Sequence, residues 1–196
     1  MEFYAITLHE RLSIVEKLQK DLKQKITIFN AIDGSIYSMF DNFTHILKNE
    51  KITSGMVGCL LSHLIILRTT SSHITIFEDD CEFIGDKDEL NDFINTDFDI
   101  LCLGTNENVD FEEDYNKVKV TRFWGTHAIM IKRSAISAIL QTSEKYYNQK
   151  IFLPADWLYS IAIKEYNLKC YAPKNPKQFF QQKIGLTSTI NGKVRS

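Results

Sequence analysis

Phe3-Tyr4-Ala5-Ile6-Thr7-Leu8 is a short apolar, β-prone run, and the pattern predicts a buried strand at the start of the chain. Polar residues then carry Leu12, Val15, Leu18 and Leu22 at helical spacing, so residues 10–23 read as an amphipathic helix. Ile26-Thr27-Ile28-Phe29 reads as a second strand, closed by the turn signal Asp33-Gly34. A strand–helix–strand opening of this kind places its two strands parallel in an α/β sheet. Thr53 or Ser54 can cap a helix over residues 55–68, and residues 73–77 form a strand whose end delivers Glu78, Asp79 and Asp80.

The same alternation continues. A short helix is predicted over residues 86–94 and a central strand over 98–103, ending at Gly104. Short strands at 118–121 and 128–131 flank a turn at Trp124-Gly125-Thr126-His127. Residues 134–146 and 155–166 have helical periodicity, and the polar tail from Pro173 reads as wrapping the surface. These elements predict a mostly parallel central sheet with helices on both faces. In open sheets of that kind ligands bind beyond the carboxyl ends of the strands. Three segments are expected there: the acidic run, Gly104-Thr105-Asn106, and the loop before Ala128.

Composition narrows the picture further. A net charge of −2 offers no basic excess to neutralise phosphates, so a nucleic-acid partner is not expected. The apolar stretch around residues 56–67 is interrupted by Gly58, Cys59, Ser62 and His63, which makes it a buried helix and not a membrane span. The first residues lack a basic start followed by an apolar core, so no signal peptide is visible and a cytoplasmic location is expected. Cys59, Cys81, Cys102 and Cys170 are widely spaced and read as reduced thiols used as small apolar residues. No linker or repeat divides residues 1–196, which are read as one domain, whether alone or within a longer protein.

The acidic run is the sharpest local chemistry. Three adjacent carboxylates after an apolar strand repel one another, and a divalent cation removes that repulsion. Mg²⁺ or Mn²⁺ takes a few carboxylates together with the oxygens of a bound diphosphate. Alternation points Glu78 and Asp80 to one side and Asp79 to the other. Asp80 is therefore assigned to the metal, Glu78 to the nucleotide ribose or the same metal–water shell, and Asp79 to bracing the loop; a solvated acidic turn is the competing reading. Gly55, Gly58 and Ser62 share one helical face, small enough for close approach of backbone or ligand. His63 has no sequence neighbour that would complete a hydrolase triad and reads more readily as structural than as catalytic. Asp156 falls in the first turn of a helix, as a terminus acid or as a general base toward an acceptor hydroxyl. His127, beside Gly125 and Thr126, is a weaker candidate for diphosphate or metal.

Taken in order, these segments resemble glycosyltransferase family 25, which includes lipooligosaccharide sugar transferases and collagen hydroxylysine galactosyltransferases. The stretches that carry the resemblance are Ile6-Thr7-Leu8 with Arg11, Ala31-Ile32-Asp33-Gly34, Gly55 to His63 with Arg68, and Ile76-Phe77-Glu78-Asp79-Asp80. Gly125-Thr126-His127-Ala128, Arg133-Ser134-Ala135 and Pro154-Ala155-Asp156 complete it. The resemblance implies a GT-A type nucleotide-binding fold, a UDP-hexose donor and usually Mn²⁺, with a glycan or hydroxylysine-containing acceptor. Carried onto this chain, it implies donor contacts from Thr7, Leu8, Arg11, Asp33, Gly34, Gly58, Ser62, His63, Glu78, Asp79, Gly125, Thr126 and His127. Asp80 and Glu78 would hold the metal, Asp80 and Asp156 would serve the chemistry, and Arg11 or Arg68 would help the leaving diphosphate. Two departures stand out: Ile14 replaces a usual second arginine, and Thr189 follows Ser188 where an acid is usual. The rival expectations are a metal-dependent hydrolase and a catalytically silent sugar- or partner-binding domain.

Overall fold

The chain was analysed as a computed structural model that describes residues 1–8, 11–114 and 117–183. Its opening is the expected parallel crossover: strand β1 (Glu2–Thr7), helix α1 (Leu12–Leu22) and strand β2 (Thr27–Asn30), with Ala5 opposite Ile28. A short 3-10 turn at Gly34–Ile36 and the two-residue strand β3 (Thr44–His45) lead into helix α2 (Ser54–Thr69). The Thr53 hydroxyl caps α2 by accepting from the Met56 N–H at 3.2 Å. Strand β4 (Ile74–Glu78), strand β5 (Cys81–Phe83) and helix α3 (Lys87–Ile94) follow. Asp86 caps α3 through the N–H groups of Asp88 and Glu89.

Strands β6 (Ile100–Gly104), β7 (Glu107–Asp114), β8 (Lys117–Trp124) and β9 (Ala128–Ile131) come next. Helix α4 (Arg133–Asn148), strand β10 (Ile151–Phe152), helix α5 (Ala155–Tyr166), and strands β11 (Cys170–Pro173) and β12 (Phe180–Gln182) complete the described elements. The main sheet has the order β2-β1-β4-β9-β6-β11-β8-β7. The pairings make β9 and β8 run against the other six strands, so most strand carboxyl ends share one edge.

Strict alternation splits the core between the two faces of this sheet. Ile74, Ile76, Ile100, Cys102, Ile129 and Ile131 pack with α2, α4 and α5 on one side. Phe77, Leu101, Leu103, Ala128 and Met130 pack with α1, α3, Phe179 and Phe180 on the other. Among the described residues no helix is long and apolar enough to cross a membrane.

The tail departs from the sequence expectation. Phe179 and Phe180 are fully buried, and β12 pairs antiparallel with β5, with Gln182 opposite Cys81. Phe179 and Phe180 therefore join the core, while residues 174–178 between them and β11 stay exposed or half-buried; Ser188 and Thr189 lie outside the described residues. Strand β7 was not expected either: its charges lie on the outer edge of the sheet, where side chains on both faces can meet water.

Candidate functional site

Strand β4 lies between β1 and β9, so the carboxylates at its end sit between the β1 exit and the turn that enters β9. The chain separates them as alternation requires. Asp79 turns toward β1, where its Oδ2 accepts from the Leu8 N–H and its Oδ1 from the Arg11 guanidinium, each at 2.8 Å. Glu78 turns the other way and accepts from the Thr126 hydroxyl. His63 Nε2 lies 3.9 Å and His127 Nδ1 4.0 Å from its oxygens, and the Cys59 thiol points at it from 3.9 Å. Burial pushes the Glu78 carboxyl up, but the two imidazoles outweigh that and hold it well below the usual range. Asp80 is buried, and its backbone oxygen accepts from the Lys183 N–H at 2.7 Å.

A divalent cation fits this group. Glu78, Asp80 and His127 can each offer one ligand atom, all within 4.8 Å of one another. His127 Nε2 is 3.1 Å from the Asn106 side-chain oxygen, a contact that orients the ring. Nδ1 is fully buried and has no hydrogen-bond partner. Two carboxylates and an oriented imidazole suit Mn²⁺ or Mg²⁺, and Asn106 fixes the ring for that task. The sequence assigns the metal first to Asp80 and Glu78 and more weakly to His127; the ring's place beside both carboxylates supports that weaker candidate. Cys59, His63 and Glu78 form a second, overlapping group. Its imidazole is held from behind by Tyr159, whose hydroxyl is 2.8 Å from His63 Nδ1.

Beside the carboxylates opens a cavity of about 330 Å³, lined by Ile6 and Leu8, by Ala31 to Gly34, by the first turns of α2 and by Glu78 to Asp80. Its outer wall is a backbone-to-backbone contact. A Cβ on Gly58 would lie 2.2 Å from the Ile32 oxygen, and one on Gly34 2.0 Å from the Ser54 oxygen. Ser62 locks the contact by accepting from the Ile32 N–H at 2.9 Å and donating to the Gly58 oxygen at 2.7 Å. The small face of α2 is thus occupied largely by the 31–34 loop. Asp33 fixes that loop further by accepting from the Ser35 N–H at 2.9 Å.

Asp156 stands across the β9 turn. Its Oδ2 accepts from the Gly125 N–H at 3.2 Å and its Oδ1 from the Trp157 N–H at 2.8 Å. Burial raises its pKa above the ordinary aspartate value, and the charge of Glu78 adds to the rise against those two backbone donors. Gly125 has φ +80°, a conformation that favours glycine, and a Cβ there would meet the His127 ring at 2.8 Å.

The predicted residues do not all converge. Leu8, Asp33, Gly34, Gly58, Ser62, Glu78, Asp79 and Asp80 line the cavity. Gly125, Thr126, His127 and Asp156 gather on the far side of Glu78. Thr7 is buried and donates to the Leu8 oxygen, and His63 sits behind Glu78. Arg11 is committed to Asp79. Arg68 is a correction: it is some 15 Å along α2 from Gly58 and lines a different cavity, so it is not placed to help a diphosphate here. Asn106 lies in a segment that the sequence places at the strand ends, and its contact with His127 gives it a role there; Cys59 and Tyr159 carry no sequence signal for the parts they play beside Glu78 and His63.

The family model for "Glycosyltransferase family 25 (LPS biosynthesis protein)" matches residues 1–154. No curated protein matches the chain significantly. Among solved structures, the apo form of the glycosyltransferase GlyE from Streptococcus pneumoniae TIGR4 is 9% identical with a TM-score of 0.53, over 98% of this chain and 56% of that one. The galactosyltransferase LgtC, solved with donor and acceptor sugar analogs, is 7% identical with a TM-score of 0.50, over 98% and 91%. At such identities the likeness speaks of fold alone, and that fold is GT-A.

Proposed function

The chain belongs to glycosyltransferase family 25, and on that premise we propose that it moves a hexose from a UDP-sugar to an acceptor hydroxyl with the help of Mn²⁺ or Mg²⁺. The observation that carries this reading is the meeting of Glu78, Asp80 and an unpartnered, buried His127 nitrogen at the edge of a nucleoside-sized cavity. When bound, the cation neutralises the donor diphosphate and the charge that develops on departing UDP.

The chain's own residues do the rest. The 31–34 loop, seated on the glycine face of α2, holds the nucleoside, and Asp79, tied to Leu8 and Arg11, keeps the acidic loop from relaxing outward. Asp156 takes the proton of the acceptor hydroxyl as that oxygen bonds to the sugar carbon and the bond to the diphosphate breaks, a single inverting displacement. Its raised pKa suits a base, because a more basic carboxylate accepts a proton more readily.

UDP release should be measured from a panel of UDP-sugars with Mn²⁺, with and without simple glycans and hydroxylysine peptides, beside Asp80→Ala. Release that requires metal and Asp80, and that rises with one acceptor, supports the transferase. No release, together with no metal-dependent UDP binding by calorimetry, overturns it and leaves a binding domain on a transferase fold. Asp156→Asn with undiminished turnover removes that residue from the mechanism.

A further inference from the structure

The chain has only two tryptophans, and they meet beside Asp156. Trp124 ends β8 and Trp157 is the third residue of α5; their rings stand edge to face, centroids 5.5 Å apart. Each adjoins one of the two backbone bonds that hold the Asp156 carboxylate, since Gly125 follows Trp124 and the Trp157 N–H is itself a donor. Both indoles remain half-buried, although the fold fully buries Phe123 and Tyr159 on the same two elements. Indole surface left in water next to a reactive carboxylate forgoes burial energy and marks a binding face.

We propose that Trp124 and Trp157 form an acceptor subsite that stacks the apolar C–H face of a sugar ring, so that the acceptor is a glycan hydroxyl. The inference rests on Asp156 acting at the acceptor. Indole presents a flat apolar body suited to a pyranose face, and its ring nitrogen can still bond a hydroxyl. The surroundings suit a neutral ring. The Arg122 guanidinium lies 6.0 and 5.9 Å from the two rings, so a cation already shares their faces. Arg122 and Lys164 share one carboxylate, Asp110, at 3.2 and 3.1 Å, and Asp156 balances the remaining positive charge. The ammonium of hydroxylysine therefore meets indole faces that Arg122 already occupies, whereas a sugar ring brings only its apolar C–H face.

Because the pair holds every tryptophan in the chain, emission excited selectively in tryptophan reports on this place alone. The full chain with UDP and Mn²⁺ should be titrated with a methyl hexoside, a disaccharide, a glucuronide and a hydroxylysine peptide. The sugars are expected to give a saturable shift or quench and the peptide none. In turnover, Trp124→Leu and Trp157→Leu, which keep apolar bulk without a ring, should raise the acceptor KM at least tenfold with the donor KM within about twofold. Trp124→Phe and Trp157→Phe should recover most of that loss. A peptide that binds better than every sugar, or Leu variants with an unmoved acceptor KM, overturns the subsite. If the unaltered chain releases no UDP from any donor, the transferase reading fails separately, and the emission titration alone decides whether sugar binds here.

Discussion

Asp79 accepts from two donors at a different strand exit. Each partner of the Arg11–Asp79 pair is less than a fifth exposed, so the pair is screened weakly and its loss is felt. Asp79→Ala and Arg11→Ala are expected to destabilise by about 1–3 kcal/mol each, with a coupling near 1 kcal/mol or more in a double-mutant cycle of urea melts. Additive effects would mean that the contact does not brace the loop. Glu2 offers a test of pH dependence at the same scale. Hydrogen bonds from Ser72, Tyr4 and Thr70 lower its pKa below the ordinary glutamate value of about 4.3. A carboxylate lowered in the folded state contributes stability that is present above the unfolded pKa and is lost as pH falls through the folded one. The deficit of Glu2→Gln, about 1 kcal/mol at pH 7, should therefore shrink as pH falls below the ordinary glutamate value and vanish once pH is below the lowered folded value. A deficit that stays constant with pH would show that the charge plays no part.

Helix α2 and the loop it carries behave as one element. Alanine for Gly58 would gain about 1 kcal/mol of helix propensity, yet its Cβ would fall 2.2 Å from a backbone oxygen that has no rotamer to escape by. Overpacking of that kind costs about 1–3 kcal/mol, so the contact wins and the loop moves. Gly58→Ala is expected to fold with a lower urea midpoint and at least a tenfold weaker UDP affinity by calorimetry; unchanged affinity would detach the loop from the nucleotide. Legibility differs among elements for physical reasons. Strand β4 and α2 were readable because each is an apolar run bounded by a cap or by charge, signals that lie within a few residues. Strand β7 alternates poorly and carries five acids, while β11 and β12 have only four and three residues and exist through partners far along the chain. The carboxylates of the site were legible for the same local reason. The His127 ring, oriented by Asn106, and the Tyr159 hydroxyl behind His63 depend on contacts that no spacing encodes.

At the scale of the molecule, the acidic loop is clamped from two distant stretches of chain. Leu8 and Arg11 hold Asp79, while Lys183 holds Asp80 and β12 lies along β5 just beyond it. Phe180 anchors the second clamp, its ring 5.5 Å from Phe77 and 5.3 Å from Phe83. Phe180→Ala is expected to cost about 3–5 kcal/mol and to lower Tm by roughly 10 °C, and Mn²⁺ affinity should fall with it because the same segment carries Lys183. A large loss of stability with intact Mn²⁺ affinity would separate the clamp from the site. The order of synthesis then acquires a meaning. A nascent chain can build β1, α1 and α2 on the ribosome, but its carboxylate loop stays half-fastened until residues beyond 180 leave the exit tunnel. On the proposed reading, competence to bind a donor arrives with β12, so chains cut short of it would hold one poorly.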